Sequence, residues 1–267
     1  LSADLNVMRQ TLLFGGLQSA AFNINHKNRN IRFFEFGNCY SLDADNAKDD
    51  QPLSKYREEY RLGLWISGKR VENNWAHQDE NTSVFELKAH VENIFRRVGI
   101  KDNRLTLSAF SNEIYTSGMV IVTASGRTLG SFGTVRPAIL KMADIDSELY
   151  YAELSWDAIT KEVRKNNITF AEISKFPEAK RDLALLVDTG VTFADIRKTA
   201  LETERKLLKK VVLFDVYEGA NLLAGKKSYA VSFYLQDDEK TLNDKQIDGI
   251  MERIRKNLED KLGAALR

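Results

Sequence analysis

Between residues 174 and 267 the hydrophobic period changes from two to about 3.6 and back again, twice, and few folds satisfy that order. The run 182–187 alternates and is closed by Asp188, Thr189 and Gly190, a turn cluster. Thr192 with Asp195 three places on predicts a capped helix whose Phe193, Ile196, Ala200 and Leu207 share a face. The runs 211–217 and 228–235 read as two strands of a hairpin, joined by the Gly219- and Gly225-containing loop 218–227. Asn243 with Gln246 predicts a second capped helix carrying Ile247, Ile250, Met251, Ile254, Leu258 and Leu262 inward, with Gly263 as its stop and 264–266 as a short last strand. Strand, helix, strand, strand, helix, strand is a split βαβ arrangement, with both helices on one face of an antiparallel sheet and the other face open.

The preceding residues have a different rhythm. The span 5–25 reads as helix, with Met8, Leu12, Leu13, Leu17, Ala20 and Ala21 on one side and a Gly15–Gly16 pair that marks a close packing contact or kink. An aromatic-rich strand at 31–40 is followed by a polar run, 43–55, expected as a mobile loop. A strand at 60–67 leads into an irregular connection, 68–81, that carries Trp75 and His77. Ser83 with Glu86 reads as a capping box for a helix to Val98 that Gly99 stops. Strands at 104–110, 118–123 and 128–132, a helical turn from Pro137, a strand at 150–154 and a helix at 155–163 complete this part. The pattern predicts an antiparallel sheet with helices to one side, and the whole chain is α+β in class. The expected domains are 1–164 and 174–267, with 165–173 as linker.

A single cysteine, Cys39, excludes an internal disulfide and any multi-cysteine metal site. No apolar run approaches 18 residues and there is no charged-then-apolar leader, so the expectation is a cytoplasmic chain without a membrane partner. Because the chain begins at Leu1 and not at a methionine, it is expected to be a piece of a larger protein. The net charge is +1, and 174–267 holds 18 basic against 16 acidic residues, so any nucleic-acid site has to be local.

The blocks Ser-Lys-Phe-Pro from Ser174, Lys-Arg-Asp-Leu-Ala at 180–184, Leu-Phe-Asp-Val-Tyr at 213–217, Gly-Lys-Lys-Ser at 225–228, Thr-Leu-Asn-Asp at 241–244 and Leu-Gly-Ala-Ala-Leu-Arg at 262–267 together resemble the ferredoxin-fold anticodon-binding domain that closes the β subunit of bacterial phenylalanyl-tRNA synthetase. Upstream, Leu1-Ser2 with Met8-Arg9, Arg-Phe-Phe-Glu-Phe-Gly at 32–37, Gly-x-x-Gly-x-x-Arg-Pro at 130–137 and Tyr-Ala-Glu-Leu at 151–154 resemble the catalytic-like domain of the same subunit. The resemblance implies a class II synthetase-like, non-catalytic antiparallel-sheet domain followed by a ferredoxin-like βαββαβ domain. It also implies a C-terminal portion of the β chain, with the upstream parts, the editing domain among them, absent. An α-subunit partner in an α2β2 enzyme and the anticodon region of tRNA(Phe) are implied as well, with ATP and Mg2+ serving the whole enzyme and no cofactor in this fragment.

Independent chemistry is sparse. His26, His77 and His90 are scattered without metal-ligand spacing, and the Gly130–Gly133 region lacks the lysine of a phosphate loop. Class II synthetases hold ATP with an arginine and a glutamate on one strand, but Arg32 and Glu35 are three apart and fall on opposite sides of a regular strand. No catalytic or metal residue is therefore assigned.

Binding has a better basis in the last domain. Alternation puts Tyr229, Val231, Phe233 and Leu235 in the core and turns Ser228, Ala230, Ser232 and Tyr234 to the open face. On the preceding strand Val212, Phe214 and Val216 read as core, turning Leu213, Asp215 and Tyr217 outward. Two tyrosines on an open sheet suit stacking of single-stranded RNA bases, and equally suit covering the sheet or contacting a neighbouring domain. The pairs Lys209–Lys210 and Lys226–Lys227 fall at opposite ends of the hairpin, with Arg181 near one of them. The expected RNA-binding set is Arg181, Asp215, Tyr217, Lys226, Lys227, Ser232 and Tyr234. Two rival readings remain open: a ferredoxin-like regulatory module that binds a small molecule, and a purely structural subunit.

Overall fold

The computed structural model describes residues 6–46, 50–165, 170, 172–219 and 222–267. The chain divides into two compact units, Leu1–Ile168 and Thr169–Arg267. In the first unit helix α1 (Leu13–Asn25) precedes the long strands β1 (Ile31–Leu42) and β2 (Tyr56–Ser67), the short hairpin β3 (Lys69–Val71) and β4 (Glu80–Asn81), and helix α2 (Val84–Arg97). Strands β5 (Leu105–Phe110), β6 (Tyr115–Thr123) and β7 (Thr128–Val135), helix α3 (Pro137–Met142), strand β8 (Leu149–Ser155) and helix α4 (Trp156–Val163) follow. The sheet is antiparallel, in the order β1-β2-β8-β7-β6-β5.

Helices cover both faces of this sheet, not one as the sequence pattern suggested. Successive residues of a strand point to opposite faces, and β2 and β8 are apolar on both. Trp65 and Tyr151 join the cluster under α1 and α3, while Leu62, Ile66, Ala152 and Leu154 join Leu87, Val91 and Phe95 of α2 and Ile159 of α4.

Helix α1 starts at Leu13, well after the expected position 5, because residues 9–12 make other bonds. The Tyr40 amide donates to the Arg9 carbonyl at 2.8 Å, and the Thr11 hydroxyl and Leu12 amide both donate to Glu153, at 2.6 and 2.8 Å. Of the glycine pair, Gly16 is the packing contact: a Cβ there would lie 2.0 Å from the Trp65 ring, whereas Gly15 faces open space. Ser83 is the residue that precedes α2, but its side chain makes no capping bond. The Glu86 carboxylate goes to Thr82 and to Arg32, at 3.0 Å from the latter's Nε, so the predicted box is absent. Within the expected loop 43–55, residues 47–49 lie outside the described residues, as does most of the expected linker 165–173.

The second unit runs β9 (Ala179–Asp188), α5 (Phe193–Thr203), β10 (Leu208–Tyr217), β11 (Lys226–Leu235), α6 (Asp244–Leu262) and β12 (Ala265–Leu266), with sheet order β10-β11-β9-β12. Both predicted capping boxes form, Thr192 with Asp195 and Asn243 with Gln246, each tying up amides that open a helix. Gly263 ends α6 at φ +62°, a left-handed conformation that glycine adopts without a Cβ clash. Leu207 lies beyond the end of α5 at Thr203, yet packs against the core from the connecting segment. The two helices bury Ile196, Ala200, Ile247, Ile250, Ile254 and Leu258 on one face of the sheet, against Leu185, Val187, Tyr229, Val231, Phe233 and Leu235.

The faces of β10 differ from the alternation drawn from sequence. Leu208, Val211 and Leu213 line the core, opposite Leu235, Phe233 and Val231, and Val212 turns to the open face opposite Ser232. Register slips between Leu208 and Lys210 and between Leu213 and Asp215 insert an extra residue each time. A bulge shifts the parity of every residue beyond it. The second slip leaves Phe214 57% exposed where the core was expected, while Asp215 and Tyr217 stay outward, opposite Ala230 and Ser228.

Candidate nucleic-acid interface

The sheet face away from α5 and α6 is built from alternate residues of three strands. β9 contributes Lys180, Asp182, Ala184, Leu186 and Asp188, and β11 contributes Lys226, Ser228, Ala230, Ser232 and Tyr234. β10 adds Lys210, Val212, Phe214, Asp215 and Tyr217. Arg267, paired through its amide to the Ala184 carbonyl at 3.0 Å, completes the face beyond β12.

Each aromatic ring of this face lies beneath a cation. The Arg267 guanidinium stands 4.9 Å from the Tyr217 ring centre, the Lys210 ammonium 5.3 Å from that of Tyr234, and the Lys180 ammonium 5.6 Å from that of Phe214. Such contacts at exposed sites contribute about 0.5–1 kcal/mol. Stacking of a nucleobase on an aromatic contributes roughly 1–3 kcal/mol, so a base can displace the cation toward a phosphate at net gain. Gly219 leaves room for the Tyr217 hydroxyl, which a Cβ there would meet at 2.8 Å.

The charges of the face are nearly balanced. Lys180 pairs with Asp182 at 3.2 Å and Lys226 with Asp188 at 2.8 Å. The Ser232 hydroxyl and the Lys180 ammonium hold the Asp182 carboxyl below the ordinary carboxylate range. Ser232 is on the face but only 1% exposed, since it is flanked on both sides by paired strands. Asp215 is exposed and in no ion pair among the described residues, which leaves its oxygens available to accept from a base edge.

Two expected members of the set are elsewhere. Arg181 sits opposite Phe233 on the helix side of the sheet and pairs with Asp244, at the start of α6, at 3.1 Å. Lys227 is 8% exposed on that same side; its ammonium donates to the Thr189 carbonyl at 2.8 Å and lies over the Tyr229 ring. Adjacent residues of a strand point to opposite faces, so Lys226 and Lys227 cannot both meet one ligand. Asp215, Tyr217, Lys226, Ser232 and Tyr234 share the open face. Sequence reading passed over Lys180, Phe214 and Arg267, because the bulge and the strand order that bring them there are tertiary features.

In the first unit Arg32 and Glu35 diverge as the strand period requires. Arg32 binds Glu86, Thr82 and the Ser67 carbonyl, whereas Glu35 binds Arg9 at 2.6 Å. A depression of about 530 Å3 is lined by Glu59, Arg61, Ser131, Glu153 and Ser155, but Glu59, Arg61, Glu153 and Ser155 are committed to one another. Arg61 joins Glu59 to Glu153, and Ser155 donates to Glu59 at 2.5 Å. Burial and the Glu153 carboxylate push the Tyr151 phenol well above its ordinary range, which keeps it a proton donor to that carboxylate. Among the described residues no group of three His, Cys, Asp or Glu could hold a metal ion, and no helix is long and apolar enough to cross a membrane.

Exposed aromatic side chains stand on α1 and on the edge strand β1 of this unit. The helix has no charged residue, and Phe14 and Phe22 are 53% and 64% exposed. β1 is an edge strand with Phe34 70% exposed, and Phe36 packs edge-on against Trp156 at 4.9 Å and stacks on Tyr60 at 5.9 Å. Phe34 and Phe36 line an apolar groove of about 490 Å3 beside α2, on the face of the sheet away from α1.

Residues 1–156 match the family model of the phenylalanyl-tRNA synthetase beta chain CLM domain, and residues 174–267 that of the ferredoxin-fold anticodon-binding domain. A phenylalanine–tRNA ligase beta subunit of Bacteroides fragilis is 58% identical over 267 residues, which is all of this chain and 33% of that protein. The beta subunit of Porphyromonas gingivalis is 53% identical over the same span, 33% of its length, and that of Vibrio vulnificus 31% identical over 268 residues, 32% of its length. The chain thus spans about a third of the length of these curated relatives. With a family model accounting for more than half of its residues and relatives aligned from its first residue to its last, the chain belongs to the phenylalanyl-tRNA synthetase β-chain family.

Proposed function

We propose that this chain is the non-catalytic portion of a phenylalanine–tRNA ligase β chain that contacts the α subunit and binds the anticodon region of tRNA(Phe). The whole enzyme, in α2β2 form in the cytoplasm, joins phenylalanine to its tRNA with ATP and Mg2+. In this reading 1–164 is a catalytic-like domain, 165–173 a linker and 174–267 the RNA-binding domain, which agrees with family matches that end at 156 and resume at 174.

The observation that carries the RNA reading is the open sheet face with Tyr217 and Tyr234, each beneath a cation, beside the exposed Asp215. Aromatic platforms flanked by basic groups suit a single-stranded loop whose bases are splayed out. The binding residues are Asp215, Tyr217, Lys226, Ser232 and Tyr234, joined by Lys210 and Arg267; Arg181 and Lys227 drop out because they serve the helix side. Titration of the chain with a tRNA(Phe) anticodon stem-loop and an anticodon-scrambled loop tests this. Preference for the true anticodon, lost in Tyr217→Ala, is the expected result, and equal binding of both loops by the wild-type chain refutes base reading.

The α-subunit contact is supported by the exposed Phe22 on the uncharged helix α1 and, on the other face of the sheet, the exposed Phe34, since exposed apolar side chains mark association surfaces. Co-expression with the α subunit should give a stable complex that Phe22→Asp with Phe34→Asp disrupts. Unchanged co-purification of that double variant refutes these residues as the contact. Neither Arg32 nor Glu35 is free to hold ATP, so the chain is expected to be inactive alone.

A further inference from the structure

The bulge in β10 creates a feature that the anticodon reading does not need. Phe214 and Asp215 follow one another on the open side because the register slips between Leu213 and Asp215. The core of β10 is filled by Leu208, Val211 and Leu213, so Phe214 contributes nothing to it and remains 57% exposed. A large apolar ring held in water by a backbone irregularity is an arrangement that packing alone does not favour.

The surroundings of this ring are specific. Lys180 lies over it at 5.6 Å, and Lys180 is also the register partner of Tyr234 on β11. Tyr234 is in turn the register partner of Lys210, whose ammonium stands 5.3 Å over its ring. Phe214, Tyr234, Lys180 and Lys210 therefore form one patch of two rings and two cations. Tyr217 and Arg267 occupy another part of the face, three residues farther along β10, or about 10 Å at ~3.3 Å per residue.

We propose that this patch is a second nucleotide-binding station, in which a base stacks on Phe214 while Lys180 and Lys210 meet the neighbouring phosphates. The proposal rests on the RNA-binding reading of the same face. The ligand is single-stranded RNA continuous with the nucleotide at Tyr217, and with stacked nucleotides repeating at about 3.4 Å it lies about three positions away. A phenylalanine ring has no hydrogen-bonding group and every base has a π face, so this station accepts any base. Discrimination between bases belongs to the Tyr217 end, and the Phe214 end adds affinity without selectivity.

The two stations separate in one titration of the chain with the tRNA(Phe) anticodon stem-loop and the anticodon-scrambled loop. Phe214→Leu keeps an apolar side chain without a π face and is expected to weaken binding of both loops by about tenfold, while Phe214→Tyr stays within about twofold of wild type. Tyr217→Ala is expected to remove the preference between loops. If Phe214→Leu binds both loops as the wild type does while Tyr217→Ala loses the preference, the second station is wrong and the RNA reading stands. If the wild-type chain binds neither loop at low salt, the RNA reading fails and the station with it.

Discussion

The guanidinium carbon of Arg267 stands 4.9 Å from the ring centre of Tyr217, so the last residue of the chain reaches the far edge strand across the sheet. Arg267 thereby covers the platform that a base would occupy and stands ready for the phosphate beside it. Removal of this cation should change the ionic part of binding more than folding. Arg267→Ala is expected to leave thermal stability nearly unchanged, to weaken stem-loop binding, and to reduce the slope of log affinity against log salt by about 0.7. Identical slopes for the two proteins would remove Arg267 from the interface.

Gly15 and Gly16 should respond in opposite directions to the same change. A methyl group at Gly16 meets the Trp65 ring in a packed core, and overpacking of that kind destabilises by about 1–3 kcal/mol. Gly15 is exposed inside α1 and a methyl group there meets nothing, so Gly15→Ala should stabilise by roughly 0.5–1 kcal/mol through helix propensity. Chemical denaturation of the two variants checks both signs.

The bulge in β10 makes a comparable pair of neighbours. Leu213 packs on the domain core and Phe214 stands in water, so Leu213→Ala should cost about 1–3 kcal/mol and Phe214→Ala about 0.5 kcal/mol or less. Uninterrupted alternation from Val212 predicts the reverse order. Unfolding curves of the two alanine variants decide between the registers.

Glu86 gives the first unit a pH-dependent contribution. Burial raises its carboxyl pKa, but the Thr82 hydroxyl and the Arg32 guanidinium outweigh burial and hold it below the ordinary value. A carboxyl depressed in the folded state stabilises fully above its unfolded pKa of about 4.3, and that contribution disappears as pH falls through the lower folded value. Glu86→Gln should therefore destabilise by roughly 1–3 kcal/mol at pH 7, with the gap to wild type closing below about pH 4. A gap that stays constant from pH 7 to pH 3 would show that the Glu86 charge adds no stability.

Much of the second unit is legible because its signals are local. The Asn243–Gln246 box, the inward row from Ile247 to Leu258 and the left-handed Gly263 all act within a turn or two of the chain, and each stands where the sequence puts it. Tyr229, Val231, Phe233 and Leu235 are equally clear, since β11 is a central strand without interruption and its period of two survives along its length. The motif blocks identify the family without any geometry.

What the sequence left undecided depends on partners distant in the chain. The sides taken by Val212, Leu213 and Phe214 follow from bulges that exist only against β11, and an inserted residue reverses the parity on which a reading by alternation relies. The start of α1 at Leu13 follows from the pull of Glu153 on Thr11 and the Leu12 amide, and Ser83 fails as a cap because Thr82 and Arg32 take Glu86. Arg267 covers Tyr217 through strand order, whereas the burial of Lys227 follows from the same alternation that buries Tyr229. Hydrophobic period and capping chemistry act between near neighbours, so most elements, the caps of α5 and α6 and the family can be read from residue order. Which side chains of β10 join the open face, and which cation meets each ring there, depends on bulges and register between strands whose pairing no local pattern encodes.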